Sequence, residues 1–272
     1  MTRLGNNSWG KSAVRVSKVH RGEDLDSFSD LTVQLLLQGE VEAAYRDGDN
    51  AGVVPTDTMR NTIYVLAQDH LGPDLEDFGR VLADHFMAKD GIISARVQLE
   101  EARWRRAGPT GFLGGGSERR TARHHADAEG RTVWGGIDGL VVLKTTDSAF
   151  SGFPRDATTI LPEKDDRLLA TTIAAEWRYE PVPADTTGAW ETARQTILDH
   201  FFGDWSASVQ HQGWLMGEAV LEAVPEMVEL SFRLPNQHHL GFDLDRFGVE
   251  DRGIVFHPVS EPYGDIRFTV TR

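Results

Sequence analysis

Residues 228–234, VELSFRL, set Val228, Leu230, Phe232 and Leu234 in strict alternation with Glu229, Ser231 and Arg233. A period of two, apolar on one side and polar on the other, is the pattern of a strand that buries one face. Leu31, Val33, Leu35 and Leu37 alternate in the same way with Thr32, Gln34 and Gln38, and Ile173, Ala175, Trp177 and Tyr179 alternate with Ala174, Glu176 and Arg178. Between these segments the spacing becomes helical: Leu75, Phe78, Leu82 and Phe86; Trp190, Ala193, Ile197 and Phe201; Met216, Ala219, Val220 and Ala223. The first half is predicted to hold strands near 13–21, 30–39 and 93–105, with helices near 57–68 and 74–88. The second is predicted to hold strands near 131–144, 168–179, 228–235 and 265–271, with helices near 190–202 and 207–224. Long strands paired through hairpins, with helices collected between them, predict an α+β protein whose antiparallel sheets are covered on one face. Two tandem units are expected, 1–130 and 131–272. Residues 107–131 have no apolar period and are rich in Gly, Arg and His, so they read as an exposed, mobile hairpin loop of the first unit.

The 272 residues, 40% of them hydrophobic, suffice for one large domain or two small ones. With 28 basic and 42 acidic side chains the formal charge is −14, which argues against nucleic acid as a partner. An anionic substrate must then be drawn by local cations. Cysteine is absent, so disulfides, thiolate zinc sites, iron–sulfur clusters and thiol nucleophiles are excluded. No segment approaches the ~18 consecutive apolar residues of a membrane span, and the opening MTRLGNNSWGK has no apolar signal core. A cytoplasmic protein without a membrane partner is the expectation. Gly114-Gly115-Gly116 lacks the Lys-Ser/Thr of a phosphate-binding loop, and no GxGxxG follows a strand. His124 and His125 are adjacent, but neighbouring side chains point apart in an extended chain and no carboxylate cluster has ligand spacing, so no metal site is expected either.

In residues 49–64, DNAGVVPTDTMRNTIY, an apolar run ends at Pro55 and gives way to Thr56-Asp57 and a helical pattern. Asp57 or Thr58 is expected to cap that helix, and the free N–H groups of its first turn would face whatever docks before Thr56. An anion or a planar, electron-rich heterocycle suits such a place. The words VVPTDT and NTIY resemble the urate oxidase (uricase) family, in which a Thr-Asp pair at a helix start holds the purine. The resemblance continues through GKxxVRVxKV from Gly10, TTxLPExxDRxLAT at 158–171, Ser206-x-x-Val209-Gln210, LPNQHH at 234–239 and the closing EPYGDIRFTVTR, all in family order. Trp9 stands where the family usually has tyrosine, and Gln237 where lysine is usual, which removes a charge beside His238.

By residue type alone, Lys11 is a solvated charge at a strand start, Phe150 a core side chain under a surface loop, Arg167 the partner of Asp165 or Asp166, and Gln210 a polar residue at a helix start. The resemblance implies more. Lys11, Thr56 and His238 would form a base relay that deprotonates urate, since a threonine hydroxyl is too weak a base alone. Phe150 would stack on the ring and Leu161 pack at its edge. Arg167 would fork two N–H donors to a carbonyl and ring nitrogen, a match for planar guanidinium. Gln210, with a donor and an acceptor on one amide, would clamp the edge opposite Thr56, Val209 would offer its backbone N–H, and Thr56 with Asp57 would hold the purine from the helix start. Pro235 is expected to end its strand and turn the following side chains away, leaving Asn236 to face the O2 and water site.

The family likeness further implies two tandem tunnelling-fold (T-fold) units that close a barrel on dimerisation, and a homotetramer with sites shared between subunits. The implied reaction is the cofactor-independent conversion of urate, O2 and water to 5-hydroxyisourate and H2O2. Two other readings are a pterin- or purine-handling T-fold enzyme, which commonly uses zinc and a glutamate anchor, and a non-catalytic purine-binding T-fold protein.

Overall fold

The computed structural model describes residues 2–23 and 25–272. Its elements are β1 (Trp9–His20), β2 (Ser27–Gly39), α1 (Glu42–Arg46), α2 (Thr56–His70), α3 (Leu75–Met87), β3 (Ile92–Arg106) and β4 (Phe112–Ala126), then β5 (Arg131–Lys144), β6 (Leu169–Tyr179), α4 (Thr186–Gly203), α5 (Val209–Ala223), β7 (Met227–Gly241) and β8 (Phe256–Thr271). The strands neighbour one another in chain order, β1 to β8. The chain divides into two compact units, one running to Ile137 and including Glu176–Trp190, the other comprising Asp138–Ala175 and Glu191–Arg272. Among the described residues, no helix is long and apolar enough to cross a membrane.

In the first unit β1, β2, β3 and β4 pair antiparallel, with Val33 facing Val14 on one side and Leu99 on the other. The alternation of β2 buries Leu31, Val33, Leu35 and Leu37 completely, against Met59 and Ile63 of α2 and Phe78, Leu82 and Phe86 of α3. Each such side chain contributes roughly 1.5–3 kcal/mol. Polar ties then set α2 on β1: Lys18 Nζ donates to the Ala67 and Leu71 carbonyls at 3.0 and 2.8 Å, a cation on the carbonyl end of the helix, and Tyr64 Oη donates to the Arg15 carbonyl at 3.0 Å.

Residues 112–126 correct the expectation of a loop. They form β4, paired with β3 from Ala95 opposite Ala126 to Arg106 opposite Phe112. The buried side is Arg120, Ala122, His124 and Ala126, a period of two carried by residues that a hydrophobic scan passes over. Arg120 is tolerated inside because its guanidinium bonds the Glu76 carboxylate at 2.6 Å and the Pro73 carbonyl at 3.1 Å, and faces the Trp190 ring.

In the second unit β7 and β8 pair from Glu229 opposite Thr271 to Gly241 opposite Phe256. The strand therefore does not end at Pro235, contrary to expectation. Proline removes one donor, but the Pro235 carbonyl accepts from Thr171 Oγ1 at 2.9 Å, and a register shift between Asn236 and His238 carries the pairing onward. The inner face of α5 is Val209, Gln212, Gly213, Met216, Gly217, Val220 and Leu221, while Ala223 faces outward. Two glycines decide this face: a Cβ on Gly213 would lie 2.3 Å from Phe268, and one on Gly217 2.7 Å from Val270.

Candidate functional site

In the first unit, Lys11 lies on β1 opposite Leu35, immediately before a register shift that ends at Val14. Ala13, inside that bulge, has φ 57°, a left-handed conformation that costs a non-glycine residue about 1 kcal/mol or more. Such bulges re-aim the side chains beside them. Gly10 has no alternative, since a Cβ there would sit 1.9 Å from the Leu35 carbonyl oxygen. Trp9 donates from Nε1 to the Val54 carbonyl at 3.0 Å, which ties the start of β1 to the turn leading into α2. That tie accounts for a tryptophan here: an indole N–H reaches a backbone acceptor across the gap.

Thr56 is the first residue of α2 and Pro55 its cap, with no side chain closing the helix start. The expectation of Asp57 or Thr58 as cap is thus corrected. The Asp57 carboxylate instead bonds along its own helix, to Arg60 at 2.6 Å and Asn61 Nδ2 at 3.0 Å. Because proline has no side-chain acceptor, the first-turn N–H groups stay open toward the exposed Thr56 and Asp57.

In the second unit, the segment between β5 and β6 is folded on itself. Phe150 and Lys164 exchange backbone hydrogen bonds at 2.7 and 3.0 Å, and the Arg167 N–H donates to the Ser148 carbonyl at 2.7 Å. Asp166 accepts from Thr146 Oγ1 at 2.7 Å, so it serves the turn. These bonds bring Arg167 over Phe150, with 5.6 Å from the guanidinium carbon to the ring centroid, while Phe153 stacks on Phe150 at 4.9 Å. Arg167 makes no ion pair among the described residues, and its buried Nε has no hydrogen-bond partner. Burial alone lowers the pKa of its guanidinium.

Ser206 connects this segment to α5. It bridges Ser148, its N–H donating to the Asp147 carbonyl at 3.0 Å and its carbonyl accepting from Ala149 at 2.8 Å. Two residues on, Ser208 caps α5 through the His211 N–H, leaving Val209 buried at the first position and Gln210 exposed at the second. Leu161 is 52% exposed on the 145–168 segment, its carbonyl accepting from Arg155. Asn236 and His238 lie on β7. Bonds from Thr171 to Pro235 and from Gln237 Nε2 to Thr172 Oγ1 at 2.7 Å set that part of β7 beside the start of β6, where Arg167 emerges. His238 also lines an open cavity of 630 Å³ with Pro235, Gln237, His239 and Tyr263.

The first unit therefore supplies a lysine, a hydroxyl and open helix N–H groups. The second supplies an unpaired guanidinium, an aromatic face, an amide and an imidazole. Reading the sequence missed Ser148, Ser206 and Lys144, whose bonds hold the segment between β5 and β6 and the start of α5, and it offered Asp166 only as a partner of Arg167, where the structure gives it to Thr146. The signal available was a lysine at the end of an apolar strand.

The model of the Uricase family matches residues 7–134 and again 133–267. The uricase of Arthrobacter globiformis is 39% identical over 272 residues, covering 99% of this chain and 90% of the relative. That of Dictyostelium discoideum is 36% identical, covering 100% and 98%. The crystal structure of the Arthrobacter globiformis uricase superposes with a TM-score of 0.96 at 38% identity, over 100% of this chain and 96% of that one. A family model that takes up both halves of the chain, and relatives matched from end to end, give one answer: this chain belongs to the uricase family.

Proposed function

We infer that the chain is a urate oxidase, which converts urate, O2 and water to 5-hydroxyisourate and H2O2. The observation that carries this is Arg167, a half-buried, unpaired guanidinium over an aromatic face, in a protein whose net charge of −14 otherwise repels anions. A planar fork above a ring is a receptor for a flat anion with adjacent carbonyl and ring nitrogen.

In this reading Phe150 stacks on urate and Leu161 packs at its edge. Arg167 and Gln210 grip its polar edges with the Val209 N–H, and Asn236 faces O2 and water. Lys11, Thr56 and His238 relay the proton from bound urate. An electron passes from the urate dianion to O2, the two radicals recombine as a peroxide on a ring carbon, and water then displaces that group, which leaves with a proton as H2O2. The protein contributes orientation and electrostatics, the substrate its own redox chemistry. The boundary between the two T-fold repeats falls near 130–131, in keeping with the two matches of the family model.

The site is shared between subunits of a homotetramer. Lys11, Thr56 and Asp57 of one chain meet Phe150, Arg167, Gln210 and His238 of another when two chains close a barrel. Exposed Thr56, Asp57 and Gln210, together with β1 and β8 as terminal strands, support that reading. The test is to mix the protein, dialysed against a chelator, with urate in air and follow the loss of ultraviolet absorbance together with peroxide. Turnover with stoichiometric peroxide is expected. Urate binding without turnover would make the protein a purine sensor, and activity restored only by a divalent ion would end the cofactor-free reading.

A further inference from the structure

Lys144, the last residue of β5, is buried, and its ammonium is held by neutral oxygens: the Asp204 carbonyl at 2.8 Å and Gln212 Oε1 at 2.6 Å, with the Phe201 ring at 5.6 Å. Gln212 in turn donates from Nε2 to the His200 carbonyl at 2.9 Å. One ammonium and one amide thus tie the end of β5 to the last turn of α4 and the first turn of α5. Lys144 makes no ion pair among the described residues. Burial lowers its pKa, opposed by the fields of Asp147, Asp204 and Asp166. A methionine of similar volume would fill the same space without desolvating a charge, so core packing alone does not call for lysine here. What lysine adds is direction: its donors reach acceptors on separate elements and fix the angle at which α5 begins.

We propose that Lys144 is a positioning residue for urate binding, setting the Val209 N–H and the Gln210 amide against the segment that carries Phe150 and Arg167. The backbone bridge between Ser148 and Ser206 holds the same junction from the other side, so the two ties together determine where the α5 start lies. The inference rests on the site proposed above.

The experiment is a double-mutant cycle on the assembled protein, with urate binding measured under exclusion of O2. Lys144→Met should weaken binding about tenfold, the scale of a lost oriented hydrogen bond, and Gln210→Ala by a similar factor. The pair together should cost little more than either alone, whereas Lys144→Met combined with Asp57→Ala, a lesion in the other half of the proposed site, should show multiplied losses. Native affinity in Lys144→Met while Gln210→Ala is weakened overturns the inference alone, as do losses that multiply in both pairs. Native affinity in Gln210→Ala overturns the site reading and the inference with it. If Lys144→Met does not assemble, Gln212→Met and Gln212→Glu replace it. A marked loss with methionine and a smaller one with glutamate, which keeps an acceptor at the ammonium, supports the positioning role. Equal effects in the two variants sink it.

Discussion

The guanidinium of Arg167 stands 5.6 Å above the ring of Phe150 with no ion pair among the described residues and its Nε buried without a partner. A half-buried cation with a buried, unsatisfied N–H costs stability in the free protein, which is repaid when an anion fills the space. Arg167→Gln should therefore raise KM and lower kcat together, while leaving the fold intact or more stable to denaturant. Arg167→Lys should not rescue activity, because one ammonium cannot reproduce a planar fork. A fully active lysine variant would place Arg167 outside the site.

Lys11 and Thr56 are proposed as one relay. Lys11→Met or Thr56→Val should lower kcat by about 100- to 1000-fold with a comparatively small effect on anaerobic urate binding. The double variant should be little worse than either single one. Steady-state kinetics that instead show multiplied losses would mean that the two groups act separately.

Subunit exchange tests the shared site. Thr56→Ala and Arg167→Ala chains are each expected to be inactive. When they are co-refolded, half of the dimers should be mixed and half of the sites in those should carry no lesion, which restores about a quarter of native activity. A mixture that demonstrably co-assembles yet stays dead puts all the residues within one chain.

His124 is buried beside Gly79, and burial lowers its imidazole pKa to about 4. The sign follows from proton counting: between about pH 6.5 and 4 the unfolded chain binds a proton that the folded chain refuses. Its contribution is fully present above pH 6.5 and is lost as pH falls through the folded value. Arg80 and Arg131 add to the depression, and Asp84 opposes it. The acid limb of stability for His124→Gln should therefore be shallower, by up to about 3 kcal/mol over that interval. Denaturant midpoints against pH would show it, and parallel limbs for variant and native protein would refute it.

The sequence by itself determined most of the fold. Leu31–Leu37, Leu75–Phe86 and Trp190–Phe201 bury the faces their periods predict, because an apolar side chain at period two or 3.6 has only one low-energy direction in which to point. Through six stretches that resemble one family, it also named the residues of the proposed site as a set. Tertiary structure decided what depended on pairing. β4 exists because Arg120 finds Glu76, so a charged residue occupies a position that composition assigns to solvent. α5 turns Ala223 outward because Gly213 and Gly217 admit Phe268 and Val270. Pro235 stays in its strand, its carbonyl taken up by Thr171 and the ladder shifting register just beyond it, and Asp57, inside the first turn of α2 and not at its cap, turns its carboxylate to Arg60 and Asn61. Most decisively, only folding shows that Asp166 serves the Thr146 hydroxyl and leaves Arg167 free. A side chain's type is local information, but whether its charge is satisfied depends on which distant backbone and side-chain groups the fold brings within about 3 Å.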